Sequence, residues 1–306
     1  VISVRAIRAR NVGKDATPAR SPFPQRRRYA GRLSRTRAFL RRARRPRLAL
    51  VTPWPPERSG VADYSLRLTR ELARSVDVDV VVAGVTGATE RPREHGVSLV
   101  DAGSADARLR RCDRVLHCMG NSQFHRHVHE LLLRHGGAVL LHDVQLTGFY
   151  GWYAGVERPQ DPLGRLVERV QRQYGARIPP QELRTAPLSL ERRVALGIYL
   201  TAEVQQHAER LFVHSRFARD LVEADSQTFE RRPPVSVMPF GMPAPLRETP
   251  PNRPAEPPLV VHMGVVSEVK GVAVLIQAFA RLAADHPGAR LVIAGPGDTS
   301  EQTRWE

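Results

Sequence analysis

Residues 51–65 read VTPWPPERSGVADYS. An apolar run stops among Pro53, Pro55 and Pro56, and a helical pattern begins at Ser59-Gly60. A glycine at a helix start lets a ligand approach the backbone, while free N–H groups and the helix dipole favour an anion. Ser59 suits an N-cap, and the prolines reduce the ordering lost on binding. An ordinary strand-to-helix turn would use the same residues. The stretch fits neither G-x-x-x-x-G-K-[ST] nor G-x-G-x-x-G. In HMGVVSEVKGVAVL, residues 262–275, Gly264 follows a second apolar run and Lys270-Gly271 opens another helix. A lysine beside a helix N-terminus opposes the dipole unless an anion lies between them. A solvated lysine at a turn is the alternative. Two such sites, one in each half of the chain, point to a diphosphate ligand.

Other polar residues fall where apolar runs end. Gly120-Asn121, His142-Asp143 and Ser215-Arg216 each follow one, and Gly295–Asp298 follows the last. His125, His127 and His129 in FHRHVH invite a metal reading. On a helix His125 and His129 would share a face and His127 would point away. No glutamate follows the first histidine as H-E-x-x-H requires, so no metal is expected. Asn121 and His125 are instead acceptor-side candidates, with a helix start capped by Asn121 or Ser122 as the alternative. Tyr64 either lines a cleft or packs a helix. Arg216 either meets a phosphorylated acceptor or solvates a helix start. In GFYGWYAG, residues 148–155, Phe149 reads as core, and Trp152 and Tyr153 are open between core and sugar stacking.

These residues need elements to hold them. Strands are predicted at Leu48–Thr52, Val78–Ala83, Val97–Val100, Arg114–Cys118, Ala138–His142 and Arg210–His214. Helices are predicted at Ala62–Arg74 and Gln123–Arg134, with a long helical region from about Leu163 to Glu209. Val- and Leu-rich strands alternating with helices imply a parallel, doubly wound α/β sheet, whose ligands bind at the strands' carboxyl ends. Residues 243–258, PAPLRETPPNRPAEPP, hold seven prolines and read as a linker. Beyond it the predicted order is strand (Leu259–Met263), helix (Gly271–Ala284) and strand (Arg290–Ala294). One strand–helix–strand unit cannot cover its own sheet faces and edges, so an incomplete second domain is expected over 259–306.

Composition excludes several classes. The 306 residues are 42% apolar, enough for a core, yet no apolar run approaches the ~18 residues of a membrane span. Cys112 and Cys118 are too few and wrongly spaced for a disulfide framework or zinc knuckle, which implies a reducing, cytoplasmic setting. The net charge of +16 sits almost wholly in the leader: residues 1–47 carry fifteen arginines, Lys14 and Asp15. The body is nearly neutral, so nucleic acid is not an expected partner. Residues 1–46 read as a disordered basic leader that is either dispensable or a contact to an anionic membrane at its inner face.

PPERSGVADYS, LLHDVQL, MPFGM and GVVSEVKGVAVLIQAFARL…ARLVIAGPGD, in that order, resemble a bacterial family 4 glycosyltransferase of the GT-B fold. The likeness spans about residue 47 to 298. GNSQFH followed by LLHD resembles a subset acting on polysaccharides or other glycoconjugates. The resemblance implies a complete Rossmann-like, acceptor-side domain over 47–242 and a donor-side domain after the linker. It implies a retaining transfer from a nucleotide sugar donor to a glycan or glycoconjugate acceptor, with no metal or other cofactor. By motif position, His142 is the catalytic candidate beside the transferred sugar. Gly60, Lys270 and Gly271 are the donor diphosphate and sugar candidates. Tyr64, Asn121, His125, Asp143 and Arg216 are the acceptor-side candidates.

This sequence departs from the family pattern in two places. Val265 stands where the family commonly has an arginine sharing the diphosphate with the lysine. The family's Glu-x7-Glu segment, which engages the donor sugar and ribose, would fall beyond Glu306. The expectation is therefore a truncated chain with little or no transfer activity. The competing readings are a binding module whose leader contacts nucleic acid or anionic membrane, and another GT-B enzyme such as a sugar-nucleotide epimerase or phosphorylase. Deleting residues 1–46 is expected to leave donor or acceptor binding intact. If it abolishes the only measurable binding, and that binding was salt-sensitive, the binding module is correct.

Overall fold

The computed structural model describes residues 45–85, 95–179, 182, 190–241, 257–264, 266 and 270–295. Most of the leader and linker, Val265 and residues 296–298 lie outside them. The chain divides into two compact units between Pro239 and Phe240.

The first unit is α/β, with a seven-stranded sheet in the order β3-β2-β1-β4-β5-β6-β7. Its strands are β1 (Arg47–Val51), β2 (Asp77–Val82), β3 (Val97–Asp101), β4 (Arg114–Met119), β5 (Gly137–Leu141), β6 (Ala208–Val213) and β7 (Val235–Val237). Every pairing is parallel. Right-handed crossovers running outward in both directions from the centre put helices on both faces. Both faces are accordingly apolar. Leu50, Val80, Cys118 and Leu140 join Trp54 in one cluster. Their neighbours Ala49, Val51, Val81, Met119, Val139 and Leu141 face a larger one. This alternation explains why the strands read as continuous apolar runs.

The helices are α1 (Gly60–Leu72), α2 (Asp106–Leu109), α3 (Arg126–His135), α4 (Thr147–Glu157), α5 (Pro162–Tyr174), α6 (Leu190–Ala195), α7 (Ala202–His207) and α8 (Arg216–Asp225). The long helical region from Leu163 to Glu209 is corrected. It breaks after Tyr174 and again between Ala195 and Ala202, where Gly197 and Leu200 take positive φ, and β6 already begins at Ala208. The proposed capping at residues 121–122 is also corrected. Ser122 makes no side-chain cap bond. Asn121 Oδ1 instead accepts from Phe149 N at 2.9 Å, in the first turn of α4. Among the described residues, no helix is long and apolar enough to cross a membrane.

The second unit pairs β8 (Leu259–Met263) in parallel with β9 (Arg290–Ala294), joined through α9 (Val272–Asp285). Gly264 and Gly295 end the two strands side by side, with φ of +145° and +156°. A Cβ on Gly295 would stand 1.7 Å from the Gly264 carbonyl oxygen, so only glycine fits.

Burial holds several imidazoles of the first unit in the neutral form. His117 and His125 are pushed down to about 4 and His142 to about 3, with burial the leading cause each time. His127 is lowered for the same reason. An unfolded histidine gains its proton near pH 6.5, before these folded ones do. Their contribution is therefore complete above about pH 6.5 and is lost as pH falls toward 4. Between about pH 7.5 and 5.5 the loss is on the order of 1 kcal/mol for each of His117, His125 and His142. Glu203, held down at about 2, acts only below the ordinary carboxylate range, so the two effects separate. Urea unfolding should show this drop between about pH 7.5 and 5.5, and a flat profile would contradict it.

Candidate functional site

The loop after β1 is fixed at both ends. Trp54 is buried in the smaller core cluster, and Glu57 N donates to Trp54 O at 3.1 Å while Glu57 Oε2 accepts from Trp54 N at 3.2 Å. Thr52 Oγ1 and Ser65 Oγ lie 2.6 Å apart, joining the end of β1 to α1. Ser59 is the N-cap of α1, and its hydroxyl oxygen accepts from Val61 N at 3.2 Å. Gly60 is exposed, its φ is not positive, and a Cβ added there would meet nothing within 4 Å. Neither backbone strain nor internal packing requires glycine at this position. The surface beside the first turn of α1 is open to the backbone.

At the end of β4, Gly120 is required by packing. A Cβ there would lie 2.8 Å from His125 Nε2 and 3.1 Å from Asp143 Oδ2. Asp143 Oδ2 accepts from Asn121 N at 3.0 Å, tying the loop after β4 to the loop after β5. His125 Nδ1 lies 3.1 Å from both the carbonyl oxygen and the hydroxyl of Ser122. Its Nε2 is buried without a partner among the described residues.

The end of β5 meets the end of β6. Leu141 pairs with Val213 in the sheet, so the next residues, His142 and His214, come side by side. His142 Nδ1 and His214 Nε2 are 3.1 Å apart. Tyr64, one turn into α1, sets the edge of its ring against both, with centroids 5.0 Å from His142 and 5.6 Å from His214. Burial, followed by the nearby Cys118, raises the Tyr64 phenol. His142 Nε2 is buried without a hydrogen-bond partner among the described residues. Leaving such a group unsatisfied costs about 1–3 kcal/mol.

The structure therefore gathers Tyr64, His142 and His214 at one point, with Asn121, His125 and Asp143 on the adjoining loops. Arg216 is not drawn in. It is exposed at the first residue of α8, behind the Ser215 cap, and has no hydrogen bond or ion pair among the described residues. Lys270 and Gly271 belong to the second unit. Gly271 is the left-handed N-cap of α9, with φ of +69° and no side-chain cap bond, and Lys270 before it is exposed.

The histidine triplet is corrected in geometry. His125 lies in a 3-10 turn before α3, and all three imidazoles are buried on separate partners. His127 Nε2 donates to Thr52 O at 3.0 Å, and His129 Nε2 lies 3.2 Å from both Glu203 and the Tyr150 hydroxyl. Among the described residues, no three His, Cys, Asp or Glu side chains are placed to hold a metal. In α4, Phe149 and Tyr153 are stacked core residues, whereas Trp152 is 39% exposed. Trp152 lines a groove of about 450 Å³ with Glu57, Phe124, Arg126, His127 and Glu130, and none of the predicted site residues lines it.

The sequence reading missed His214, which appeared there only as the last residue of a strand. The available signal was its position at a carboxyl end, directly before Ser215-Arg216.

Comparison with known proteins finds a family-model match that lies within the second unit. No curated protein matches the chain. Among solved structures, the Medicago truncatula protein UGT71G1 complexed with UDP-glucose aligns at 12% identity with a TM-score of 0.38. That alignment covers 84% of this chain and 67% of the other. So remote a likeness assigns neither ligand nor reaction to this chain. The family model described as glycosyl transferases group 1 matches residues 247–305, the segment holding β8, α9 and β9 with Lys270 and Gly271.

Proposed function

We propose that this chain is a family 4 glycosyltransferase of GT-B architecture that handles a nucleotide-diphosphate sugar. The reaction of that family is retaining transfer of the sugar to a glycan or glycoconjugate acceptor, with no metal required, and residues 1–306 by themselves are proposed to turn over little or nothing. The match of residues 247–305 to the glycosyl transferase family model carries this reading.

The chemistry of each unit supports it separately. In the second unit, α9 begins on a glycine with no side-chain cap. Its first N–H groups are free to meet phosphate oxygens, and Lys270 stands beside them. Negative charge builds on the leaving diphosphate as the glycosidic bond breaks, and a fixed cation there lowers the barrier. In the first unit, the His142 and His125 rings each present a buried nitrogen without a partner. A hydroxyl both donates and accepts, so either ring nitrogen suits a ligand carrying hydroxyls. Gly60 leaves its backbone open for close approach. Asp143 acts by holding Asn121 in place. Tyr64 braces the imidazoles, and Arg216 is free for a charged acceptor. Bacterial polysaccharide or glycoconjugate synthesis is the proposed setting. The proposed location is cytoplasmic, with the basic leader at the inner membrane face.

Calorimetric titration of the full chain with UDP-glucose, GDP-mannose and ADP-glucose tests the reading. At least one should bind saturably. Lys270→Ala should weaken that binding by about tenfold or more, the effect of losing one charge-assisted contact. Absence of binding by all three, or equal binding by the variant, overturns it.

A further inference from the structure

We propose that His214 is a positioning residue that fixes the His142 tautomer, leaving His142 Nε2 unprotonated to accept a hydrogen bond from a hydroxyl of the bound sugar. This rests on reading His142 as the group that meets the sugar.

His214 Nδ1 lies 3.1 Å from the Met238 carbonyl oxygen. A carbonyl only accepts, so His214 Nδ1 carries the hydrogen. In the neutral ring its Nε2 is then a lone pair. The contact 3.1 Å away is His142 Nδ1, which must therefore be the donor. A neutral imidazole holds one ring hydrogen, so His142 Nε2 is bare. Burial keeps the His142 ring neutral, and the neighbouring His214 adds to that effect. The same Nε2 is buried with no hydrogen-bond partner among the described residues.

The relay is anchored rather than loose. Met238 N donates to Val213 O at 2.7 Å, so Met238 and the end of β6 clasp each other around His214. The Tyr64 ring stands across both imidazoles, at interplanar angles of 76° and 70°. β7, a three-residue edge strand, thus acquires a role. It leads directly into Met238, whose carbonyl sets the hydrogen-bond direction through His214 to His142.

Long-range imidazole 15N NMR on the full chain tests positioning directly, with His142→Gln used to assign the ring. At neutral pH, His142 should show a protonated Nδ1 and an unprotonated Nε2. His214→Phe should shift the His142 nitrogens toward a tautomer mixture. His214→Gln should restore the wild-type pattern, because its amide can accept from His142 and donate to Met238 O. A proton on His142 Nε2 in the unmodified chain overturns the proposal, as does a tautomer indifferent to His214→Phe. The first of these readings needs no variant to fold. Titration with the three nucleotide sugars supplies the second readout: about tenfold weaker binding in His214→Phe, recovered in His214→Gln. Failure of the unmodified chain to bind any of them counts against the proposed function, while the tautomer alone decides the relay.

Discussion

The parallel pairing of β1 with β2 on one side and β4 on the other sets where each candidate residue of the first unit can stand. Crossovers leave β1 toward one edge and β4 toward the other, so the chain opens a crevice between them at the carboxyl ends. The loop holding Gly60 leaves from β1, the loop holding Asn121 from β4, and His142 from β5. Parallel strands cannot be joined by tight turns, and each carboxyl end must be followed by a loop and usually a helix. Tyr64 on α1 can reach His142 after β5 because of this arrangement. The same pairing buries both faces of the sheet, which is why its helices and core clusters fall on two sides.

The imidazoles show what the site costs the fold. Buried polar atoms normally find partners, and most in this unit do. Asp225 accepts from Tyr199 N, Thr201 N and the Tyr174 hydroxyl, and Arg169 is held by Glu157 and Glu203. His125 Nε2 and His142 Nε2 are two of ten buried side-chain atoms in this unit with no partner among the described residues, and both lie in the segments that follow β4 and β5. At the carboxyl ends of a parallel sheet, these two nitrogens stand where a ligand can meet them.

Much of this architecture was legible in the sequence, for physical reasons. Val- and Leu-rich runs locate strands whose two faces are both covered, and six of the seven in the large sheet could be read that way. β7 could not, because three residues after Pro233-Pro234 carry no pattern. The helix α4 contains Gly148, Gly151 and Gly155, so propensity argues against it. Burial of Phe149, Tyr150 and Tyr153 sustains it instead. The break of the long helical region depends on Gly197 and Leu200 in left-handed conformations, which composition does not announce. His214 was overlooked because its partner is 72 residues away, and only the register of β5 on β6 brings them together. Asn121 drew attention as a cap for its own turn, yet it serves a helix that starts 26 positions later.

The central claim is that the carboxyl edge of this sheet receives a sugar hydroxyl at His142. The most direct measurement follows the 15N and 1H signals of the full chain while a nucleotide sugar is added. The account predicts that the His142 Nε2 resonance and the Gly60 amide move together along one saturating curve, with the His142 tautomer unchanged. Saturable binding that leaves both signals where they were would contradict it.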